Sequence, residues 1–204
     1  MIKPAKPERE AERLAELHRY RILDTDPEQA YDDLLTIVAG ICGTPMGAVT
    51  LIDGERQWLK ARQGIDVAET SRDVAFCAHA ILEPDKLMQV RDSHLDARFA
   101  GNPSAQGEAG IRFYAGAPLV TSSGNALGTL CVMDTKPREL TKEQSEALTR
   151  LARQVVSLMN CAGRTRSCSI ISTNATGTKT SSSAITRSSS SRTPSCPSRA
   201  APTC

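Results

Sequence analysis

Acidic residues, leucine, valine, methionine and aromatics are all missing from Cys161 to the end of this chain. Ser, Thr, Arg, Pro and Cys dominate there. Such a segment buries too little apolar surface to offset the entropy of ordering it, so 161–204 is expected to be a disordered tail. Its six basic residues, Arg164, Arg166, Lys179, Arg187, Arg192 and Arg199, come with no aromatic between them, a poor surface for stacking on a nucleic acid. Set apart from the tail, nineteen Lys and Arg stand against 23 Asp and Glu, so the formal +2 hides a remainder near −4. That is an ordinary soluble surface, and no nucleic-acid partner is expected.

Other absences narrow the class. No window approaches the roughly 18 apolar residues of a membrane span, and MIKPAKPEREAERLAELHRY lacks the apolar core of a signal peptide, so a cytoplasmic protein without a membrane partner is expected. The three histidines, His18, His79 and His94, form no pair at metal-ligand spacing, and the acidic stretch Asp24, Asp26, Glu28, Asp32, Asp33 lacks the ligand spacing and central glycine of a calcium loop. Of seven cysteines, Cys42, Cys77 and Cys131 are widely spaced and the other four lie in or at the tail, which is no disulfide framework; reduced thiols are expected. No kinase, cyclase or phosphate-loop motif occurs, so no enzymatic activity is expected of these residues.

What is present is organised around Gly110 to Asp134, two apolar runs separated by Ser122-Ser123-Gly124-Asn125, which reads as a hairpin. Alternation places Ile111, Phe113, Ala115, Ala117 and Leu119 on one face of the first strand, with Tyr114, Gly116, Pro118 and Val120 on the other. On the second, Leu127, Thr129, Cys131 and Met133 oppose Ala126, Gly128, Leu130 and Val132. Neither face is polar, so both need a cover.

Ahead of the hairpin, residues 1–7 are a flexible lead and Glu8 to Arg21 has the spacing of an amphipathic helix. Asp26-Pro27-Glu28-Gln29 has the form of a helix cap, followed by an apolar stripe of Leu34, Leu35, Ile37, Val38 and Ile41 that stops at Gly43. Gly47 to Asp53 and Gln57 to Gln63 read as a hairpin with one edge strand, in which Trp58 is a packed residue. Asp73 to Leu82 reads as a short helix stopped at Glu83-Pro84, and Leu87 to Val90 as a small strand. The long polar loop from Asp92 to Gly110 suits a cover over a site. After the hairpin, Thr141 and Gln144 form a capping box, and Leu148, Leu151, Val155 and Leu158 make a seam of about two heptads that ends near Asn160.

This order of elements, with ILDTDPEQAYDDL, VAFCAHAIL, FYAGAPLVTSSGNALGTLCVMD and ELTKEQSEALTRLARQVV, resembles the GAF sensor domains at the front of bacterial signalling proteins such as histidine kinases and diguanylate cyclases. The resemblance covers residues 8–160 and implies an α/β (α+β) fold: a six-stranded antiparallel sheet with helices on one face and a ligand pocket on the other. It also implies small-molecule or redox sensing, relayed through the final helix to an output domain or partner kinase. The seam suggests a homodimer through the 141–160 helix.

Candidate ligand-binding residues are Cys77, His79, Arg112, Tyr114 and Cys131. In bilin-binding relatives the attachment cysteine is followed directly by histidine, whereas Ala78 intervenes here, and on a helix residues two apart diverge by about 200°. Haem or bilin is therefore not expected, and the cofactor is left unassigned. Cys77 reads either as a small buried hydrophobe or as a redox or nitrosation sensor. Arg112 and Tyr114 share a strand face and could meet an anionic or ring-bearing ligand, or be a solvated strand end and core. Two alternatives stand beside the sensor: a GAF-fold free methionine sulfoxide reductase, which needs Cys77 and Cys131 close together, and a ligand-free dimerisation module. The abrupt change of composition after Asn160 is also what a frameshift would produce.

Overall fold

The computed structural model describes residues 1–174, with side chains as far as 162. Helices α1 (Glu10–Tyr20) and α2 (Gln29–Cys42) lead into strands β1 (Met46–Ile52), β2 (Arg56–Gln63) and β3 (Glu69–Ser71). A 3-10 turn at Arg72–Val74 and the five-residue α3 (Phe76–Ala80) follow, then β4 (Met88–Val90), β5 (Phe113–Val120), β6 (Ala126–Asp134) and the long α4 (Lys142–Asn174). The six strands form one sheet in the order β3-β2-β1-β6-β5-β4, and each pairing is antiparallel.

The central hairpin is buried on both faces, as its double apolar alternation predicts. On one face Phe113, Ala115, Ala117, Leu119, Leu130 and Val132 pack with Leu17, Leu35, Val38, Leu148, Ala152 and Val155 from α1, α2 and α4. On the other, Tyr114, Cys131 and Met133 pack with Phe76, Cys77 and Ile81 around α3, and with Phe99 and Ala105 from the long loop. Three residues change sides relative to strict alternation. In β6, Leu127 joins the helix side together with Leu130, three positions on, and Ala126 joins the α3 side with Cys131. The cause in β6 is a break in the β5–β6 register between Pro118 and Val120, where Ala126 to Thr129 span one residue more than the facing strand. Ile111 precedes β5, outside the ladder, and joins the α3 side.

Several local expectations are corrected. Strand β2 is not an edge, because the short polar β3 pairs with its far side; Trp58 is packed in the helix-side core as expected. Helix α2 starts at Gln29, and its N-cap Glu28 makes no side-chain cap bond, because the carboxylate is turned to Lys60. Its buried stripe is Tyr31, Leu35, Val38, Ala39 and Cys42, leaving Ile37 and Ile41 exposed; Gly43 ends it in a left-handed conformation (φ 64°). The capping box of α4 is formed as expected: Gln144 N–H donates to Thr141 Oγ1 (3.2 Å) and Thr141 N–H donates back to Gln144 Oε1 (3.0 Å). Helix α4 passes the composition change and reaches Asn174, since extending a formed helix is far easier than starting one. The remainder of the expected disordered tail, 175–204, lies outside the described residues.

The predicted seam on α4 divides. Leu148 and Val155 are fully buried within the domain, whereas Leu151 and Leu158 are half-buried at its edge. Among the described residues no helix is long and apolar enough to cross a membrane.

Candidate functional site

The register of three strands builds the site. Met46 pairs with Met133, Ala48 with Cys131, and Thr50 with Thr129 across β1 and β6, while Tyr114 pairs with Met133 and Gly116 with Cys131 across β5 and β6. Because side chains alternate across a strand, this grid aims Met46, Ala48, Thr50, Tyr114, Cys131 and Met133 at the same side. Helix α3 lies over them and contributes Phe76 and Cys77. Between sheet and cover is a cavity of about 270 Å³. It is completed by Gln57, Leu59 and Thr70 from β2 and β3, by Ile65 and Val67, and by Ser104, Ala109 and Ile111 from the long loop. No Asp, Glu, Lys or Arg lines it.

At its floor is a chain of polar contacts. Tyr114 Oη donates to Cys77 Sγ at 3.3 Å and lies 3.4 Å from Thr129 Oγ1, which is 3.1 Å from Thr50 Oγ1. Cys77 Sγ and Cys131 Sγ are 3.8 Å apart, close enough for either thiol to donate to the other, and Cys131 Sγ is also within donating distance of the Ala48 carbonyl oxygen (3.4 Å). All of these side chains are buried. Burial pushes the Cys77 pKa up, but hydrogen bonds from Cys131, Thr129, Thr50 and Tyr114 outweigh it and bring the thiol down to about 7. Cys131 moves the other way, well above the ordinary thiol range, because it holds a proton against the Cys77 sulfur and is itself desolvated. Tyr114 is likewise raised, by burial and then by the charge of Cys77, so it stays a donor. By contrast Cys42, buried without such partners, is pushed up to about 11.

Gly116 makes the Tyr114 position possible. A Cβ on Gly116 would lie 2.1 Å from the Tyr114 hydroxyl oxygen and 2.7 Å from Cζ, so the ring lies flat across the glycine. The ring in turn stacks with Phe76 (centroids 5.3 Å apart), and Phe76 with Phe99 (4.1 Å). Among the lining residues Gln57 has a side-chain oxygen, Oε1, that is buried with no hydrogen-bond partner among the described residues.

The candidate residues thus separate. Cys77, Tyr114 and Cys131 meet. His79 points away from Cys77, as its helical offset predicts: its Nε2 lies 3.1 Å from the Ile2 carbonyl oxygen and its ring stands edge-on to Phe99. Burial, and then the Arg98 charge, lower its pKa. Arg112 does not line the cavity; it precedes β5 and makes a two-pronged pair with Asp92 (2.7 and 2.5 Å). Thr50, Gln57, Gly116 and Thr129 were not anticipated as site residues. Thr129 shares the parity of Cys131 and Gly116 that of Tyr114, so these two were within reach of alternation; Thr50 and Gln57 needed the strand pairing. Among the described residues no group of three His, Cys, Asp or Glu is placed to hold a metal ion.

A double-faced antiparallel sheet with helices on one side and a covered cavity on the other defines the class, and the comparisons agree. Residues 26–158 match the family model of the GAF domain, and the chain belongs to that family. It is 39% identical over 148 residues to a cyclic di-GMP phosphodiesterase of Pseudomonas aeruginosa, an alignment covering 72% of this chain but 25% of that protein. The chain therefore spans about a quarter of the length of this curated relative. The GAF domain of an Acinetobacter phosphoenolpyruvate-protein phosphotransferase shares the fold (TM-score 0.56, 16% identity, 76% of this chain and 98% of that one). So does a free methionine-R-sulfoxide reductase from Neisseria meningitidis (TM-score 0.53, 16% identity, 76% and 90%).

Proposed function

We propose that this chain is a sensory module of a bacterial signalling protein, whose cavity takes a small, uncharged, largely apolar ligand bearing one hydrogen-bond donor. The observation that carries this reading is the lining of the cavity: apolar side chains, two thiols and neutral hydroxyls, with no Asp, Glu, Lys or Arg to pair a ligand charge and with Gln57 Oε1 unpartnered among the described residues. A cyclic nucleotide, a haem propionate or a free amino acid would bring charge into a site with nothing to pair it, a heavy desolvation cost. At about 270 Å³ the cavity is also at or below the small end of ligand sites.

Ligand binding on the α3 side would bias the sheet and, through β5 and β6, helix α4 on the opposite face. From α4 the state would pass to an output domain, such as the phosphodiesterase of the P. aeruginosa relative, to a partner kinase, or to a second copy of this chain through Leu151 and Leu158. The module would then have no catalysis of its own. The 3.8 Å thiol pair favours a second reading, a free methionine sulfoxide reductase. That substrate is a zwitterion, however, and a lining without Asp, Glu, Lys or Arg opposes it.

Native mass spectrometry of freshly purified protein, compared with its denatured mass, tests the reading. An uncharged adduct lost on denaturation is expected. Retention of a nucleotide or another anion, or turnover of free methionine sulfoxide, would replace it.

A further inference from the structure

The geometry points to Cys77 and Cys131 as a dithiol that closes to a disulfide inside the cavity when a small neutral hydroperoxide enters. Two sulfurs 3.8 Å apart are in van der Waals contact, and both belong to the cavity lining. They come from different elements, α3 and β6, so a bond between them would tie the cover to the sheet. The surroundings divide the labour. The Tyr114 hydroxyl and the Cys131 thiol both face the Cys77 sulfur and favour its thiolate, the attacking form, while Cys131 retains the proton. A cavity of about 270 Å³ with no Asp, Glu, Lys or Arg in its lining selects among oxidants: it admits hydrogen peroxide or a short alkyl hydroperoxide and excludes a charged peptide disulfide.

The chemistry balances with the peroxide as the only oxidant. The Cys77 thiolate attacks the terminal peroxide oxygen; the S–O bond forms, the O–O bond breaks, and the departing hydroxide, or alkoxide from an alkyl hydroperoxide, takes the Cys131 proton and leaves as water or the alcohol. The Cys131 thiolate then attacks the Cys77 sulfenic sulfur, the S–S bond forms, the S–O bond breaks, and the second hydroxide takes a solvent proton. Two thiol sulfurs lose two electrons and one peroxide gains them. The site shares the cavity of the proposed ligand but needs no ligand in it, so the two readings can fail separately.

The test is peptide mapping of the full chain after hydrogen peroxide, with free thiols blocked and no reductant. Trypsin places Cys77 in the peptide 73–86 and Cys131 in 113–138, each as its only cysteine. A crosslink between these two peptides is expected, reversed by dithiothreitol and absent in both C77S and C131S. Tyr114→Phe keeps the ring and should slow crosslinking about tenfold, the loss of one hydrogen bond to the thiolate. Cys77 carried directly to sulfinic acid, a disulfide joining other cysteines, or no oxidation in the wild-type chain would overturn the proposal. Since the mapping is done on the wild-type chain, it does not depend on a variant folding. A native mass recorded on the same sample reports the ligand separately.

Discussion

Phe113 and Tyr114 are adjacent in β5 and belong to opposite cores: Phe113 is buried under the helices, and Tyr114 reaches into the cavity to donate to Cys77 Sγ at 3.3 Å. A shift of this strand on one face is necessarily a shift on the other. It is a direct route from the cavity to α4, which packs on β5 and β6.

The first prediction concerns Gly116. In Gly116→Ala the new methyl claims the space of the Tyr114 hydroxyl, so the ring must move off the Cys77 sulfur. The pKa of Cys77 should rise from about 7, and alkylation of Cys77 followed against pH by mass spectrometry should move to higher pH. An unmoved profile would mean that Tyr114 does not hold the thiolate.

Glu10 joins α1 to the turn before α3. Its carboxylate accepts from Arg13 Nε (2.7 Å) and Nη2 (2.8 Å) and pairs with Arg72, while Arg13 Nη1 donates to the Ile52 carbonyl oxygen (2.7 Å). Both arginines are buried, so Glu10→Gln leaves two cations without their anion. A loss of roughly 3 kcal/mol in urea unfolding is expected. A loss under about 1 kcal/mol would show that solvent reaches the pair, as it does at exposed ion pairs.

Lys60 occupies the bulge where Val49 pairs with Ala61 and Thr50 with Leu59. Its buried ammonium donates to Thr25 Oγ1 (2.8 Å) and the Asp26 carbonyl oxygen (2.7 Å) and pairs with Glu28 (2.7 Å), over the faces of Tyr31 and Trp58. Lys60→Met fills the space but unfastens the α1–α2 connection, with an expected loss of about 2 kcal/mol. Limited proteolysis should then cut near Asp26; a wild-type pattern would contradict this.

Acid stability reports Arg112. Hydrogen bonds from its guanidinium lead the causes that hold the Asp92 carboxyl down to about 2, against an ordinary value of 3.8. A carboxyl lowered on folding stabilises the fold above its unfolded pKa, and that contribution fades as pH falls from about 4 to about 2. In Arg112→Gln the acid limb of a circular-dichroism titration should start at higher pH than in wild type. Coincident limbs would place the anchoring of Asp92 elsewhere.

Much of the architecture was legible because the hairpin's apolar residues repeat on both faces, Thr141 and Gln144 announce a helix start, and Gly43 a helix end. Alternation failed where the ladder breaks, so Ala126 and Leu127 changed sides, and where the strand had not yet begun, so Ile111 did. The Asp26-Pro27 cap failed because Lys60, distant in sequence, claimed the Asp26 carbonyl and the Glu28 carboxylate. At the site, Cys77, Tyr114 and Cys131 were recognisable by chemistry. Their meeting was not, since it depends on the Gly116–Cys131 register and on where α3 lands. Arg112 was separated from Tyr114 by Asp92, a partner that only the folded loop supplies.

Amide hydrogen exchange along α4, with and without a neutral donor-bearing fragment that binds the cavity, tests the central claim most directly. Ala48→Leu, which extends a side chain from β1 into the cavity, serves as the control. The account predicts that the fragment raises the melting temperature and changes exchange between Lys142 and Asn160 in wild type, and does neither in the filled variant. A fragment that binds equally well to Ala48→Leu, or that occupies the wild-type cavity and leaves α4 exchange unchanged, would contradict it.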